Sequence, residues 1–76
     1  MSPAEYCRQM CIRVGDTIQG REECPGGWHD AQLTLLWIGE QEAVWRARCR
    51  SYKKPKWGEP FESVGWKLKL RSWQKI

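Results

Sequence analysis

Hydrophobic and polar positions follow two different periods along this chain of 76 residues. Near the N-terminus, Tyr6 and Met10 lie four residues apart, as do Cys7 and Cys11. That spacing gathers side chains into one stripe of a helix. Ser2 stands where an N-cap is needed, Pro3 suits the first helical position, and Glu5 completes a Ser-x-x-Glu capping box. The pattern stops near Ile12, and Val14-Gly15-Asp16 signals a turn. One short helix is therefore predicted within residues 1–13.

Beyond this turn the period falls to two. Residues 16–22 read as a short first strand, and residues 23–30, which hold Pro25-Gly26-Gly27, as a loop. Residues 31–38 are apolar on both faces, with Leu33, Leu35 and Trp37 on one and Leu36 and Ile38 on the other. This predicts the central, most buried strand. Gly39-Glu40-Gln41-Glu42 follows as a hairpin loop. Residues 43–52 alternate most strictly: Ala43, Trp45, Ala47 and Cys49 face one way, and Val44, Arg46, Arg48, Arg50 and Tyr52 the other. A second loop over 53–60 carries Trp57, residues 61–64 form a short strand, and Gly65 permits a bend or bulge. Residues 66–76 alternate again, with Trp66, Leu68 and Leu70 inward and Lys67, Lys69, Arg71 and Trp73 outward.

The fold expected is mainly β with one N-terminal helix (α+β). It is a small antiparallel SH3-like barrel or a strongly curled sheet of four or five strands. Residues 1–76 form a single domain, with the helix in 1–13 and the barrel in 14–76. A helix on an open four-stranded sheet is the alternative, although closure would remove exposed edge strands. Six tryptophans are many for this length, and large aromatic side chains let a small domain build a sufficient core. Trp37, Trp45 and Trp66 are the expected core members. Trp28 and Trp57 fall in Gly/Pro loops, where each can anchor an interface or fold back to seal one end of the barrel.

Charge changes the picture further. The net charge is +4, yet ten of the thirteen Lys and Arg lie in residues 46–76. Such asymmetry describes partners rather than fold. Arg46, Arg48 and Arg50 share one face of a strand, and Lys67, Lys69 and Arg71 share one face of another. If those strands are neighbours, the rows merge into one patch flanked by Tyr52 and Trp73 and extended by Lys53, Lys54, Lys56 and Trp57. Basic side chains neutralise phosphates and aromatic ones stack on unpaired bases. Arginine equally suits the carboxylates of an acidic protein. A solvated sheet face is the plainer explanation of the same charges.

Cys7-x3-Cys11-x12-Cys24-x4-His29 has the spacing of a zinc finger in which Cys replaces the first His. A finger sets its first pair on a hairpin and its second on a helix, whereas here the first pair follows a helix cap. Zinc is therefore the minor alternative, and no cofactor is expected. Reduced thiols acting as small hydrophobes are the plainer reading. Cys24 and His29 lack a third catalytic partner, and no Gly-rich loop ends in Lys-Ser/Thr. The chain is expected not to be an enzyme. The longest apolar run is six residues, Leu33 to Ile38, against the roughly 20 a membrane span needs. The N-terminus has neither the basic head nor the apolar stretch of a secretory signal. A soluble cytoplasmic protein without membrane contact is expected.

Gly15-Asp16-Thr17-Ile18-Gln19-Gly20-Arg21-Glu22, then Trp28, Leu33-Thr34-Leu35-Leu36-Trp37, Trp57-Gly58-Glu59-Pro60-Phe61-Glu62 and the Trp66 to Trp73 block form a pattern over residues 13–76. It resembles that of small hypothetical proteins encoded by tailed phages and prophages. The resemblance implies a phage product made in a bacterial cytosol and carries no activity or catalytic residue with it. Short phage proteins of this kind often redirect host machines. The expected function is a binding module for nucleic acid or a nucleoprotein complex, built on Arg46, Arg48, Arg50, Tyr52, Lys53, Lys54, Lys56, Trp57, Lys67, Lys69, Arg71 and Trp73. The alternatives are an inhibitor or adaptor that binds an acidic surface of a host protein or ribonucleoprotein, in the manner of an anti-CRISPR counter-defence protein, and a zinc-stabilised module.

Overall fold

The computed structural model describes residues 2–64, 66, 68 and 71–76. In chain order its elements are α1 (Pro3–Gln9), β1 (Thr17–Cys24), β2 (Gly27–Ile38), β3 (Ala43–Ser51), β4 (Phe61–Ser63) and β5 (Trp73–Lys75). All strand pairs are antiparallel, in one five-stranded sheet of order β4-β3-β2-β1-β5. The first four strands form a meander, and the last returns to pair with the first. The expected class therefore holds: mainly β, with one short N-terminal helix. No described helix is long and apolar enough to cross a membrane.

The helix starts and stops for identifiable reasons. Ser2 Oγ accepts the Glu5 N–H at 3.2 Å, and Pro3 opens the first turn. At the other end the Ile12 N–H reaches the Cys7 carbonyl at 2.8 Å, and the Cys11 N–H reaches that of Arg8 at 3.3 Å. This is the Schellman arrangement, which places Cys11 at φ +55, a conformation that usually selects glycine. The Ala4 N–H donates to the Gln41 carbonyl, and Arg8 Nη2 to those of Gly39 and Glu40. These bonds fix α1 to the β2–β3 connection, with Ala4 and Cys7 buried.

One sheet face carries the core. Trp45 is fully buried among small residues, with Ala31, Ala43 and Ala47 also fully buried. Ile18, Leu33 and Leu35 complete the sheet side, while Cys7 and Ile12 close it from the helix end. Leu68 and Trp73 belong to the same core, and Trp66 packs against it half-buried. Trp73 Nε1 donates to the Leu68 carbonyl at 2.8 Å. Its ring lies on Gly20, where an added Cβ would come within 2.9 Å of it.

Four expectations are corrected. The loop predicted over 23–30 is instead a hairpin whose only turn residues are Pro25 and Gly26. Gly26 takes φ +84, as the third position of a type II turn requires. Trp28 thus lies in β2. The register between β2 and β3 shifts at Leu36, a one-residue bulge that returns Ile38 to the core side and turns Trp37 out to 54% exposure. Cys49 does face the core side as expected, opposite the buried Ala31, but it lies at the margin of the core and is exposed rather than buried. The strand predicted over 66–76 is restricted to β5 among the described residues, and Trp73 faces inward. Lys67, Lys69 and Leu70 lie outside the described residues.

Cys11→Gly is expected to raise stability by about 1 kcal/mol, because glycine has no Cβ to oppose positive φ. For a domain of this size that is a rise of about 4–8 °C in the thermal midpoint. Gly20→Ala is expected to cost about 1–3 kcal/mol by forcing Trp73 off the sheet. Calorimetry of both variants checks the pair.

Candidate nucleic-acid interface on the polar sheet face

The face opposite the core is built in cross-strand rows. Alternation places Thr17, Gln19 and Arg21 of β1, Trp28, Asp30, Gln32 and Thr34 of β2, and Arg46, Arg48 and Arg50 of β3 together. The register aligns Thr17 with Thr34 and Arg46, Gln19 with Gln32 and Arg48, and Arg21 with Asp30 and Arg50. Each row is bonded. The Thr17 and Thr34 hydroxyls meet at 2.7 Å. Arg48 Nε donates to Gln32 Oε1 at 2.6 Å, and Gln32 Nε2 donates to Gln19 Oε1 at 2.7 Å. Arg21 grips Asp30 with two bonds, Nε to Oδ1 at 2.7 Å and Nη2 to Oδ2 at 3.1 Å, while Arg50 Nε reaches Oδ2 at 2.8 Å.

Two tryptophans are interleaved with these cations. The Arg21 guanidinium sits 4.2 Å from the Trp28 ring centre, and that of Arg50 5.8 Å from it. Arg50 and Arg48 lie 4.4 Å and 5.1 Å from Trp57. Trp57 reaches this position because the Gly58 N–H bonds the Cys49 carbonyl at 2.9 Å and lays the loop along β3. Asp30 is 2% exposed, and the Arg21 and Arg50 guanidiniums hold its carboxyl below the usual carboxylate range. The same ion pair raises the Arg21 pKa. Arg48 and Arg50 bond inward through Nε, so their terminal nitrogens stand at the outer ends of the side chains. Arg46 is exposed and forms no ion pair among the described residues. A groove of about 410 Å³ opens beside it, lined by Thr17, Gln32, Thr34, Arg46, Arg48 and Pro60.

Of the second expected basic row, Lys67 and Lys69 lie outside the described residues and Arg71 precedes β5, so only Arg71 is placed, and it does not join the β3 arginines. β3 and β5 are separated by β2 and β1, and which strands become neighbours is a long-range property that alternation within a strand cannot set. Arg71 has a side chain only 11% exposed, with Nη2 3.3 Å from Glu22 Oε2. Its guanidinium lies 5.6 Å from Trp66 and 5.7 Å from Trp73. Trp73 is in the core, so it does not flank the patch. Tyr52 leaves the β3 alternation at a bend. Its ring lies on Gly27 and edge-on to His29 at 6.3 Å, away from the arginine row. Lys53 is 5.8 Å from that ring, while Lys54 and Lys56 are exposed in the loop. Trp57 stands beside Arg48 and Arg50 as expected. Arg21, Asp30 and Gln32 are absent from the expected site, and Trp28 is expected only as a loop anchor or barrel seal rather than as a strand residue of this face. The signal for them was period-two alternation continuing through Trp28, Asp30 and Gln32 to Thr34.

The four cysteines are free. Cys7 is buried in the helix, Cys11 lies at its end, and Cys24 ends β1, so with His29 on β2 they form no metal-holding group among the described residues. Burial pushes the Cys7 thiol up, away from the reactive thiolate. No family model, curated protein or solved structure matches the chain.

Asp30→Asn is expected to lower stability at pH 7 by about 2 kcal/mol, the scale of lost charge-assisted hydrogen bonds. Because the folded-state pKa of Asp30 is lowered, its contribution is complete above the unfolded-state value of about 4 and disappears as pH falls through the folded value. The gap between native and variant proteins should therefore close below about pH 4. Asp16, held low by the Arg13 N–H and by Lys75, titrates in both proteins and drops out of the difference. Urea unfolding from pH 7 to 2 measures it.

Proposed function

We propose that this chain is a non-enzymatic binding module that holds nucleic acid, free or within a nucleoprotein complex, on the arginine row of its polar sheet face. The observation that supports this reading is the fixation of Arg48 and Arg50. Each is tied through Nε to a neighbour on β2 and laid against Trp57, beside the exposed Arg46. Ordering a long side chain at an interface costs about 0.5–1.5 kcal/mol, and here folding has already supplied most of that order. Lys54 and Lys56 add exposed positive charge at the Trp57 end.

A second reading, an inhibitor or adaptor for an acidic host-protein surface, has one observation in its favour. The exposed Trp37 pairs across the sheet with Val44, beyond the row that contains Arg46, and Val64 after β4 is exposed as well. Tryptophan and arginine together are the residue types that anchor protein interfaces. A phage origin and a counter-defence role belong with this reading.

The first reading predicts salt-dependent binding of a fluorescein-labelled duplex. Log K should fall linearly between 50 and about 200 mM salt, with a slope between about −2 and −3, since Arg50 already shares Asp30 with Arg21. Arg46→Ala should reduce that slope by about one. An affinity that stays flat over the same range overturns the proposal. Loss of a nuclease-resistant protein complex in Trp37→Ala, with duplex binding intact, would instead favour the second reading.

A further inference from the structure

We infer that the ligand of this face is the phosphodiester backbone of a duplex, engaged without reading or stacking its bases. This rests on the preceding proposal and narrows it. Surfaces that hold unpaired bases offer bare aromatic faces. Here Trp28 and Trp57 are already stacked with guanidiniums, at 4.2 Å from Arg21 and 4.4 Å from Arg50. Tyr52 lies on Gly27, and Trp73 is buried against Gly20. Trp37 is the exposed indole on this face; it stands beyond Arg46 with its ring edge on Gly39, so any base contact would fall there rather than along the arginine row. A base entering at either tryptophan would gain about 1–3 kcal/mol from stacking. It would forfeit cation–π contacts worth about 0.5–2 kcal/mol. The difference is too small to make base stacking the source of affinity.

The arginines themselves fit a backbone. Alternate residues of an antiparallel strand are about 6.8 Å apart, close to the separation of successive phosphates along one strand of nucleic acid. Arg46, Arg48 and Arg50 therefore form a comb matched to three consecutive phosphates. A duplex carries one charge per roughly 1.7 Å of axis, against 3.4 Å for one of its strands. A cationic comb with no base contacts gains more from the denser partner.

The test uses three labelled probes of equal length at one salt concentration: a DNA duplex, one of its strands, and the same strand made abasic. Duplex binding is expected to be tightest, and the abasic strand should bind within about threefold of the normal strand, since no base is stacked. A normal strand about tenfold or more tighter than the abasic one, or tighter than the duplex, overturns base-independent duplex binding while leaving nucleic-acid binding in place. Displacement of the duplex by polyglutamate at equal charge concentration overturns it in favour of an acidic protein partner. Absence of binding to all three probes removes the parent proposal as well. Trp57→Leu supplies an independent arm. It should weaken all three probes by the same factor, because Trp57 positions arginines; a loss confined to the base-bearing probes would overturn the inference.

Discussion

Asp30 sets both the register and the charge distribution of the polar face. Its carboxylate is almost wholly removed from water, which costs several kcal/mol for an isolated ion, and two guanidiniums from the flanking strands compensate it. Because Arg21 lies on β1 and Arg50 on β3, the same contact ties three strands in one row. A slip of one residue would carry Asp30 to the core side and Ala31 out. Electrostatics and hydrophobic burial therefore enforce the same pairing. The neighbouring row repeats the bond pattern with a neutral centre, Gln32, in place of the carboxylate. Arg48 is thus oriented as Arg50 is, but its charge is not cancelled. Along β3 direct ion pairing falls away from Arg50, bonded to Asp30, to Arg48, bonded to the neutral Gln32; Arg46 stands opposite Glu62 of β4 without an ion pair among the described residues, and the groove lies beside it.

The two faces of β3 depend on each other. Trp45 fits in the core because its same-face neighbours along β3 are Ala43 and Ala47, side chains too small to compete for the space, with Leu35 opposite on β2 and Ser63 opposite on β4. That alternation of one large residue with small ones points the intervening Val44 and Arg46 outward, and Arg48 follows in the same phase. Shape on one side of the strand consequently fixes the pitch of the charges on the other.

Much of this was legible in the chain. Ser2 and Pro3 announced the helix start, and strict alternation over 43–51 gave β3 its two faces. What stayed hidden has physical causes. The run Leu33 to Ile38 is apolar at nearly every position, so the one-residue slip at Leu36 leaves no trace in polarity, and Trp37 was assigned inward. Pro25-Gly26-Gly27 carries strong turn chemistry, yet only Pro25 and Gly26 form the turn; Gly27 is already paired, and the strand resumes under polar residues. Trp73 is inward because it lies on Gly20, a contact between residues far apart in sequence. The arginine row was visible from spacing alone. Its partners Asp30 and Gln32 sit on a different strand, and their role depends on pairing.

Outward charges on an antiparallel sheet ordinarily need no explanation beyond solvation. Solvation alone favours mobile ends, since every side chain fixed in one rotamer costs entropy. Arg48 and Arg50 do the opposite: each surrenders Nε to a partner on β2 and lies against an indole. Lysine could satisfy the hydration requirement but not this arrangement, because an ammonium has no planar fork with one edge for the protein and another for a ligand. A guanidinium anchored at Nε keeps its terminal nitrogens as donors in a fixed direction. The ordering entropy is spent during folding, where the Asp30 and Gln32 contacts offset it, so that under the proposed function a phosphate would meet donors already in position. That separation of costs is the physical ground on which the proposed anion-binding role of the row rests, since hydration alone does not require it.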